Sequence, residues 1–115
     1  MLSDSYMYVL DVLRYDVEQV ESIVRLLNDR SIGWVEFNER AFTEKDVVDK
    51  LMLLVESELV VVLYEEGGWL VECPGDFEGL KKSPNRFWYK MTEKGRAVYD
   101  EWEPPVNDGD SAGTS

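Results

Sequence analysis

Residues 81–90 gather the side chains best suited to holding an anion. Four basic residues surround a run of three aromatic residues there, next to a stretch rich in proline, glycine and charge. Basic side chains neutralise phosphates, and an exposed ring can stack on a base. The same pattern also fits a solvated loop leading into a strand whose aromatic side chains pack in the core. The candidate contacts to an anion or nucleic acid are Lys81, Lys82, Arg86, Trp88 and Lys90.

A second candidate set lies on one side of a helix predicted over residues 43–56. Apolar residues occupy one side of its helical wheel, whereas charged residues and Leu53 occupy the other. An apolar side chain among charged neighbours can anchor a protein partner. The N-terminal helix or a second subunit could equally cover it. The candidate partner-binding residues are Lys45, Asp46, Asp49, Lys50, Leu53 and Glu56.

Catalytic and metal-binding side chains are scarce in this sequence. It contains no histidine, the commonest general base and metal ligand, and the single cysteine, Cys73, therefore has no histidine to activate it. There is no glycine-rich phosphate loop and no zinc-finger spacing. Residues 107–110 begin like a calcium loop but lack its closing glutamate. We expect a protein without catalytic activity, cofactor or metal.

The charge of the chain is large and unevenly distributed. The net charge is −12, and residues 1–80 carry 18 acidic and 6 basic side chains. Residues 81–96 reverse this with six basic side chains and one acidic side chain. An acidic surface repels nucleic acid on average and attracts a basic partner, although such charge also maintains solubility. A protein partner, or a second copy of this chain, is therefore expected ahead of nucleic acid.

The length of 115 residues suits one domain with one modest core. No apolar run approaches the roughly 18 residues that span a bilayer, and the N-terminus lacks the pattern of a signal peptide. One cysteine cannot form an internal disulfide, which favours a reducing cytoplasm. We expect a single cytoplasmic domain over residues 1–103, a disordered tail over 104–115 and no membrane association.

Hydrophobic periodicity in the first half predicts three helices. A helix over residues 5–15 would place Tyr6, Val9 and Leu10 on its inner face, with Asp11 and Arg14 away from it. A second helix is expected to begin at an Asp16 cap and run to about residue 28. Residues 34–37 alternate like a short strand. The third helix begins after a Thr43 cap and ends near residue 56.

The second half predicts a small sheet and a closing helix. Residues 59–64 form a β-branched run typical of a buried strand. A turn over 65–68 leads to a second strand over 69–73, and a loop over 74–85 leads to a third over 87–91. Thr92 is expected to cap a last helix whose inner face holds Val98, Tyr99 and Trp102. Two prolines at 104 and 105 should end that helix.

Residues 87–96, Phe-Trp-Tyr-Lys-Met-Thr-Glu-Lys-Gly-Arg, resemble the aromatic-x-x-Leu-Thr-x-x-Gly-Arg element of winged helix-turn-helix proteins such as PadR-like and MarR-like regulators. Residues 51–64, a helix running into an apolar strand, are also similar to that family. The resemblance covers residues 5–102 and implies an α+β, winged-helix-like fold. It would comprise three N-terminal helices, a small antiparallel sheet and a C-terminal helix. It also implies that helix 43–56 is the recognition helix and that residues 65–86 form the wing.

The outward side of the implied recognition helix departs from the family pattern. Reading a major groove requires outward Arg, Lys, Asn or Gln, whereas here two lysines face Asp46, Asp49 and Glu56. The segment between residues 31 and 42 is also longer than a helix-turn-helix turn. Both departures weaken the expectation of DNA binding.

Three functions remain open at this point. The first is a non-catalytic interaction module that binds a protein through its acidic helical surface. In this reading it could form a homodimer through Tyr6, Tyr8, Tyr15, Tyr99 and Trp102. The second is a transcriptional regulator that binds DNA with the wing and residues 81–96. The third is an acidic inhibitor of the antitoxin, immunity-protein or DNA-mimic kind.

Overall fold

The computed structural model describes residues 3–38, 40–73, 79 and 82–105. In those residues the chain forms four α-helices and one three-stranded antiparallel sheet, an α+β arrangement. The helices are α1 (Asp4–Val12), α2 (Val20–Leu27), α3 (Glu44–Glu56) and α4 (Glu93–Glu101), and the strands are β1 (Val60–Glu66), β2 (Trp69–Glu72) and β3 (Phe87–Met91). Two short 3-10 helices cover Trp34–Phe37 and Pro84–Arg86. The predicted tail beyond residue 105 and most of the predicted loop 74–85 lie outside the described residues.

The connection between α1 and α2 differs from its prediction. Asp16 does not cap α2, which begins at Val20 after Gln19. The reason is that Glu18 is extended and pairs with Tyr89 of β3, with reciprocal backbone hydrogen bonds of 3.1 and 2.8 Å. The carboxylate of Asp16 accepts from the backbone N–H of Val17 instead. Sheet pairing therefore takes precedence over the local capping signal.

The prediction of a strand over residues 34–37 is wrong, because these residues form a 3-10 helix. It follows Gly33, whose φ of 97° lies in the left-handed region and turns the chain sharply. Trp34 packs inward on Tyr8 of α1, whereas Glu36 and Phe37 are both exposed. The alternation of apolar and polar residues therefore does not correspond to two faces of a strand here.

Helix α3 begins as predicted, with Thr43 as its cap. The Thr43 hydroxyl accepts from the Asp46 N–H at 3.1 Å, and the Asp46 carboxylate accepts from the Thr43 N–H at 3.3 Å, which completes a capping box. The inner face of α3 buries Val47, Leu51 and Leu54. These side chains join the core formed with α1, α2 and the sheet.

The sheet has the strand order β2-β1-β3, with β1 antiparallel to both neighbours. The predicted strands are confirmed, but β1 continues through Glu66, so the turn is confined to Gly67 and Gly68. Both glycines have positive φ, 61° and 86°, as a two-residue type I′ turn requires. The side of the sheet that packs on the helices buries Val60, Val62 and Tyr89, and that burial raises the pKa of the Tyr89 hydroxyl.

Helix α4 packs closely on the start of β1 through Gly95. Thr92 caps α4 by accepting from the Gly95 N–H at 3.0 Å, and its hydroxyl donates to the Glu58 carbonyl at 2.7 Å. A Cβ atom added to Gly95 would lie only 2.2 Å from the Leu59 carbonyl oxygen. The glycine of the Thr-x-x-Gly element is therefore required by the packing of a helix on a strand.

Replacing Gly95 with alanine tests this close approach. Alanine favours a helix interior over glycine by about 1 kcal/mol, so helix propensity alone predicts stabilisation. We expect Gly95→Ala instead to lower the free energy of unfolding by about 1–3 kcal/mol, because α4 must shift away from Leu59. Urea unfolding followed by circular dichroism measures the sign, and a more stable variant would contradict the packing described.

The capping box of α3 should contribute to the free energy of unfolding in a pH-dependent way. Hydrogen bonding by Thr43 lowers the pKa of Asp46, so the stability it provides exists above the unfolded-state pKa and is lost as the pH falls through the lowered folded-state pKa. Asp46→Asn should cost about 0.5–1 kcal/mol at neutral pH. The difference from wild type should disappear at strongly acidic pH. Glu56→Gln, at an exposed position at the other end of α3, is the control. An equal loss of stability in both variants would contradict a role for the capping box.

Candidate functional site

Asp11 forms a buried polar centre near the end of α1. The residue is 7% exposed, and its carboxylate accepts from Arg14 Nη1 at 2.7 Å, Trp34 Nε1 at 2.7 Å and the Tyr99 hydroxyl. Arg14 Nη1 also donates to the Tyr99 hydroxyl at 2.8 Å. The prediction that Asp11 lies away from the core is wrong, because Trp34 and Tyr99 cover that side of α1. We call these four residues the Asp11 centre.

The Asp11 centre has the electrostatics of a stable ion pair beside a neutral phenol. The hydrogen bond with Tyr99 raises the pKa of Arg14, and the charge of Asp11 raises it further. Burial raises the pKa of the Tyr99 hydroxyl, so this group stays protonated and able to donate. The centre joins α1, the first 3-10 helix and α4, which are far apart in sequence.

Aromatic side chains extend from the Asp11 centre along the same side of the molecule. Tyr8 and Trp34 stack with ring centroids 4.6 Å apart, and Trp102 lies 5.5 Å from Trp34 and 6.0 Å from Tyr99. Trp102 Nε1 also donates to the Asp4 carboxylate at 3.0 Å. The position of Trp102 is therefore fixed from several directions.

The five aromatic residues of the predicted dimer seam differ in how far they are exposed. Tyr8 is buried and Tyr99 and Trp102 are half-buried by contacts within the chain, so they do not form a free aromatic surface. Tyr6 is half-buried, with the Lys50 ammonium 5.4 Å from its ring centroid. Tyr15 alone of the five is exposed. The aromatic residues chosen for an interface mainly hold α4 against α1.

A groove of about 940 Å³ lies between α1, α3 and α4. Its apolar lining is Met7, Leu53, Leu59, Val98 and Trp102. Leu53 is 37% exposed at one margin, whereas Met7 and Leu59 are buried at its base. The groove thus has an apolar base, and we refer to it as the α1–α3–α4 groove.

The margin of the α1–α3–α4 groove is acidic. Its charged lining residues are Asp4, Glu101, Glu103 and Lys94. Lys94 is engaged with Glu58, whose carboxylate lies 3.8 Å from its ammonium. Three carboxylates therefore face a single, already paired ammonium. An apolar surface framed by one sign of charge favours a ligand with apolar side chains and the opposite charge.

The six candidate residues on α3 do not act as one surface. Leu53 lines the α1–α3–α4 groove, whereas Asp46 and Lys50 line a different cleft with Arg40. Lys45 and Asp49 form an ion pair of 2.8 Å, which raises the pKa of Lys45. Glu56 is exposed near the end of the helix. Among the described residues of α3, only Lys45 and Asp49 form an ion pair with each other, and Leu53 is the exposed apolar side chain of the six.

The described basic residues of 81–96 do not line one cleft. Lys82, Arg86 and Lys90 are exposed, and Trp88 is half-buried. Arg86 and Trp88 line a cleft of about 380 Å³ that also contains Glu65. Lys81 lies outside the described residues, so that part of the candidate anion site stays a prediction.

Two further bases of this segment have partners elsewhere. Lys94 faces Glu58 at the α1–α3–α4 groove, and the Arg96 guanidinium donates to the backbone carbonyl of Arg14. These two side chains support the packing of α4. The basic character of the segment is therefore divided between α4 and the chain leading into β3.

The described residues contain no group of three or more acidic or cysteine side chains placed to hold a metal ion. Cys73 is half-buried with a free thiol. Over the same part of the chain, no helix has the length and apolar character needed to cross a bilayer.

Leu53 was a candidate binding residue from the sequence, whereas the other residues that line the α1–α3–α4 groove were not. Asp4, Glu101 and Glu103 come from opposite ends of the chain and meet only because α4 packs on α1. A weak signal was present, since α4 and the residues after it hold three acids beside Trp102. Nothing in the sequence indicated that Asp11 would be buried.

Replacing Asp11 tests whether its centre holds α4 in place. Asp11→Ala leaves the Trp34 N–H, the Tyr99 hydroxyl and the Arg14 guanidinium without their acceptor. We expect the free energy of unfolding to fall by about 2–3 kcal/mol. Asp100→Ala, an exposed acid on α4, should change it by less than about 0.5 kcal/mol. Denaturant unfolding measures both variants. Equal losses of stability in Asp11→Ala and Asp100→Ala would contradict a stabilising role for the Asp11 centre.

The comparisons with known proteins leave the site to be judged on its geometry. No protein-family model matches this sequence, and no curated protein is similar to it. The candidate site is therefore defined by the α1–α3–α4 groove, its apolar base and its acidic margin.

Proposed function

We propose that this chain is a non-catalytic interaction domain on a winged-helix scaffold and that it binds a basic partner protein through the α1–α3–α4 groove. The partner segment that fits best is an amphipathic helix with lysine or arginine beside its apolar stripe. The observation that carries the proposal is the combination of an apolar lining, with Leu53 37% exposed at its margin, and three carboxylates around it.

The order of elements supports the winged-helix scaffold. Three helices precede an antiparallel hairpin, and a further strand leads directly into α4. The resemblance to PadR-like and MarR-like regulators implies this order, and Thr92 and Gly95 of the shared element lie where α4 begins. The pairing of Glu18 with Tyr89 also ties the α1–α2 connection to the sheet.

The shape and chemistry of the groove support a helical occupant. Helices α1, α3 and α4 frame it, and apolar grooves between helices commonly accept the apolar face of an amphipathic helix. Leu53 at the margin and Trp102 at the base would contact the apolar stripe. Burying such anchors usually provides most of the binding free energy of an interface.

Charge favours a basic protein as the partner. The groove margin is acidic, and the whole chain carries a net charge of −12. Such a field speeds association with a basic partner and opposes a second copy of the same chain. An acidic inhibitor would be a special case, in which the basic partner is itself a nucleic-acid-binding protein.

Direct DNA binding has weaker support. The Arg96 guanidinium donates to the Arg14 carbonyl, which leaves one fewer of the predicted bases available for phosphates. The α3 helix presents Asp49 and Glu56 outward. Carboxylates near a phosphate backbone oppose binding.

The proposal predicts binding of a designed helical peptide of leucine and lysine with one leucine stripe. Leu53→Asp should weaken its affinity about tenfold, because a charged group replaces an apolar anchor. Glu101→Lys should weaken it several-fold and reduce its salt dependence. Isothermal titration calorimetry at two salt concentrations measures both effects.

Asp100→Lys is the matched control, since Asp100 adjoins Glu101 on α4 but does not line the groove. It should alter peptide affinity much less than Glu101→Lys. A peptide with glutamate in place of lysine should not bind. Equal binding of both peptides, or equal losses in the two lysine variants, would contradict the proposal, and steeply salt-dependent binding of mixed duplex DNA would favour the regulator instead.

A further inference from the structure

Strand β2 is an apolar edge of the sheet. Among the described residues β1 is its only neighbouring strand. Trp69 is 77% exposed, Leu70 41% and Val71 38%. Exposed edge strands are usually protected by lysine, proline or a bulge, because they can pair with another chain. Residues 69–72 contain neither lysine nor proline.

The hydrogen-bond pattern shows which backbone groups of β2 are free to pair. The Cys73 N–H donates to the Val62 carbonyl at 2.8 Å, and the register places Val71 opposite Tyr64. The backbone N–H and C=O groups of successive strand residues point to opposite sides of the strand. Those of Val71, two residues before Cys73, therefore also point toward β1. Leu70 and Glu72 consequently direct their N–H and C=O groups away from β1, toward the open edge.

The side chains of β2 give the edge two different faces. Trp69 and Val71 stand on one face, and Leu70 and Glu72 stand on the other. Glu65 lies opposite Leu70 in the register, and it is exposed. One face therefore combines Trp69 and Val71 with Tyr64 and the Glu66 carboxylate, and the other combines Leu70 with the carboxylates of Glu65 and Glu72.

We propose that β2 is a docking edge for an extended, basic segment of a partner protein, which adds to the sheet as a further strand. Its backbone pairs with Leu70 and Glu72, and its alternate apolar side chains cover Trp69 and Val71. Lysine or arginine at the intervening positions lies near Glu65 and Glu72. Complementary charge favours this occupant, whereas a second copy would bring acidic hairpins together. The edge shares no residue with the α1–α3–α4 groove, so this proposal stands independently of the one above.

The test uses a short peptide in which valine and lysine alternate, titrated into the isotopically labelled full chain. The amide signals of Leu70 and Glu72 should shift most. Leu70→Pro removes a donor that β1 does not use, so the hairpin should remain while binding weakens about tenfold. Leu70→Thr keeps the donor and serves as the matched control, and it should bind more tightly than Leu70→Pro.

Other results would overturn the docking edge. One is equal affinity of Leu70→Pro and Leu70→Thr while the Tyr64 and Val71 signals show an intact hairpin. Another is equal binding of a valine–glutamate peptide. Loss of binding in Glu101→Lys rather than in Leu70→Pro would place the peptide in the α1–α3–α4 groove. A wild-type dimer that Leu70→Pro converts to a monomer would assign the edge to self-association instead.

Discussion

The carboxylate of Asp11 is the constraint on which the arrangement of this molecule depends. A buried carboxylate must be paired and hydrogen-bonded, and here Arg14, Trp34 and Tyr99 meet that requirement. Those partners lie on different elements, so satisfying one charge fixes α1, the first 3-10 helix and α4 relative to one another. Trp102 is then held against Trp34 and Tyr99, and it forms part of the base of the α1–α3–α4 groove. A polar interaction in the interior thus shapes an apolar surface outside.

The two apolar surfaces proposed for binding both lie in acidic surroundings. The α1–α3–α4 groove is framed by Asp4, Glu101 and Glu103, and strand β2 is accompanied by Glu65 and Glu72. Apolar area provides affinity, and unbalanced charge determines which partners approach. The same acidity would oppose self-association and attract a basic protein. This combination is the physical basis of the proposed binding function.

The sequence predicted the elements that local signals determine and missed those that distant contacts decide. The Thr43 and Thr92 caps, the β-branched run and the double glycine defined α3, α4 and the hairpin. Asp16 does not cap α2, because Glu18 pairs with Tyr89 instead. Residues 34–37 form a 3-10 helix that places Trp34 on α1, and not the predicted strand. Leu53 was recognisable as an apolar residue on a polar face. The acidic margin was not, since residues nearly a hundred positions apart create it, as the hydrogen bond between Asp4 and Trp102 illustrates.

The most direct test of the central claim is to locate the leucine–lysine peptide on the protein by intermolecular nuclear Overhauser effects. We expect contacts from the peptide leucine methyls to the Met7 and Leu53 methyl groups and to the Trp102 ring, all of which line the α1–α3–α4 groove. Contacts confined to other surfaces, such as the face of α3 that carries Lys45 and Asp49, would contradict it.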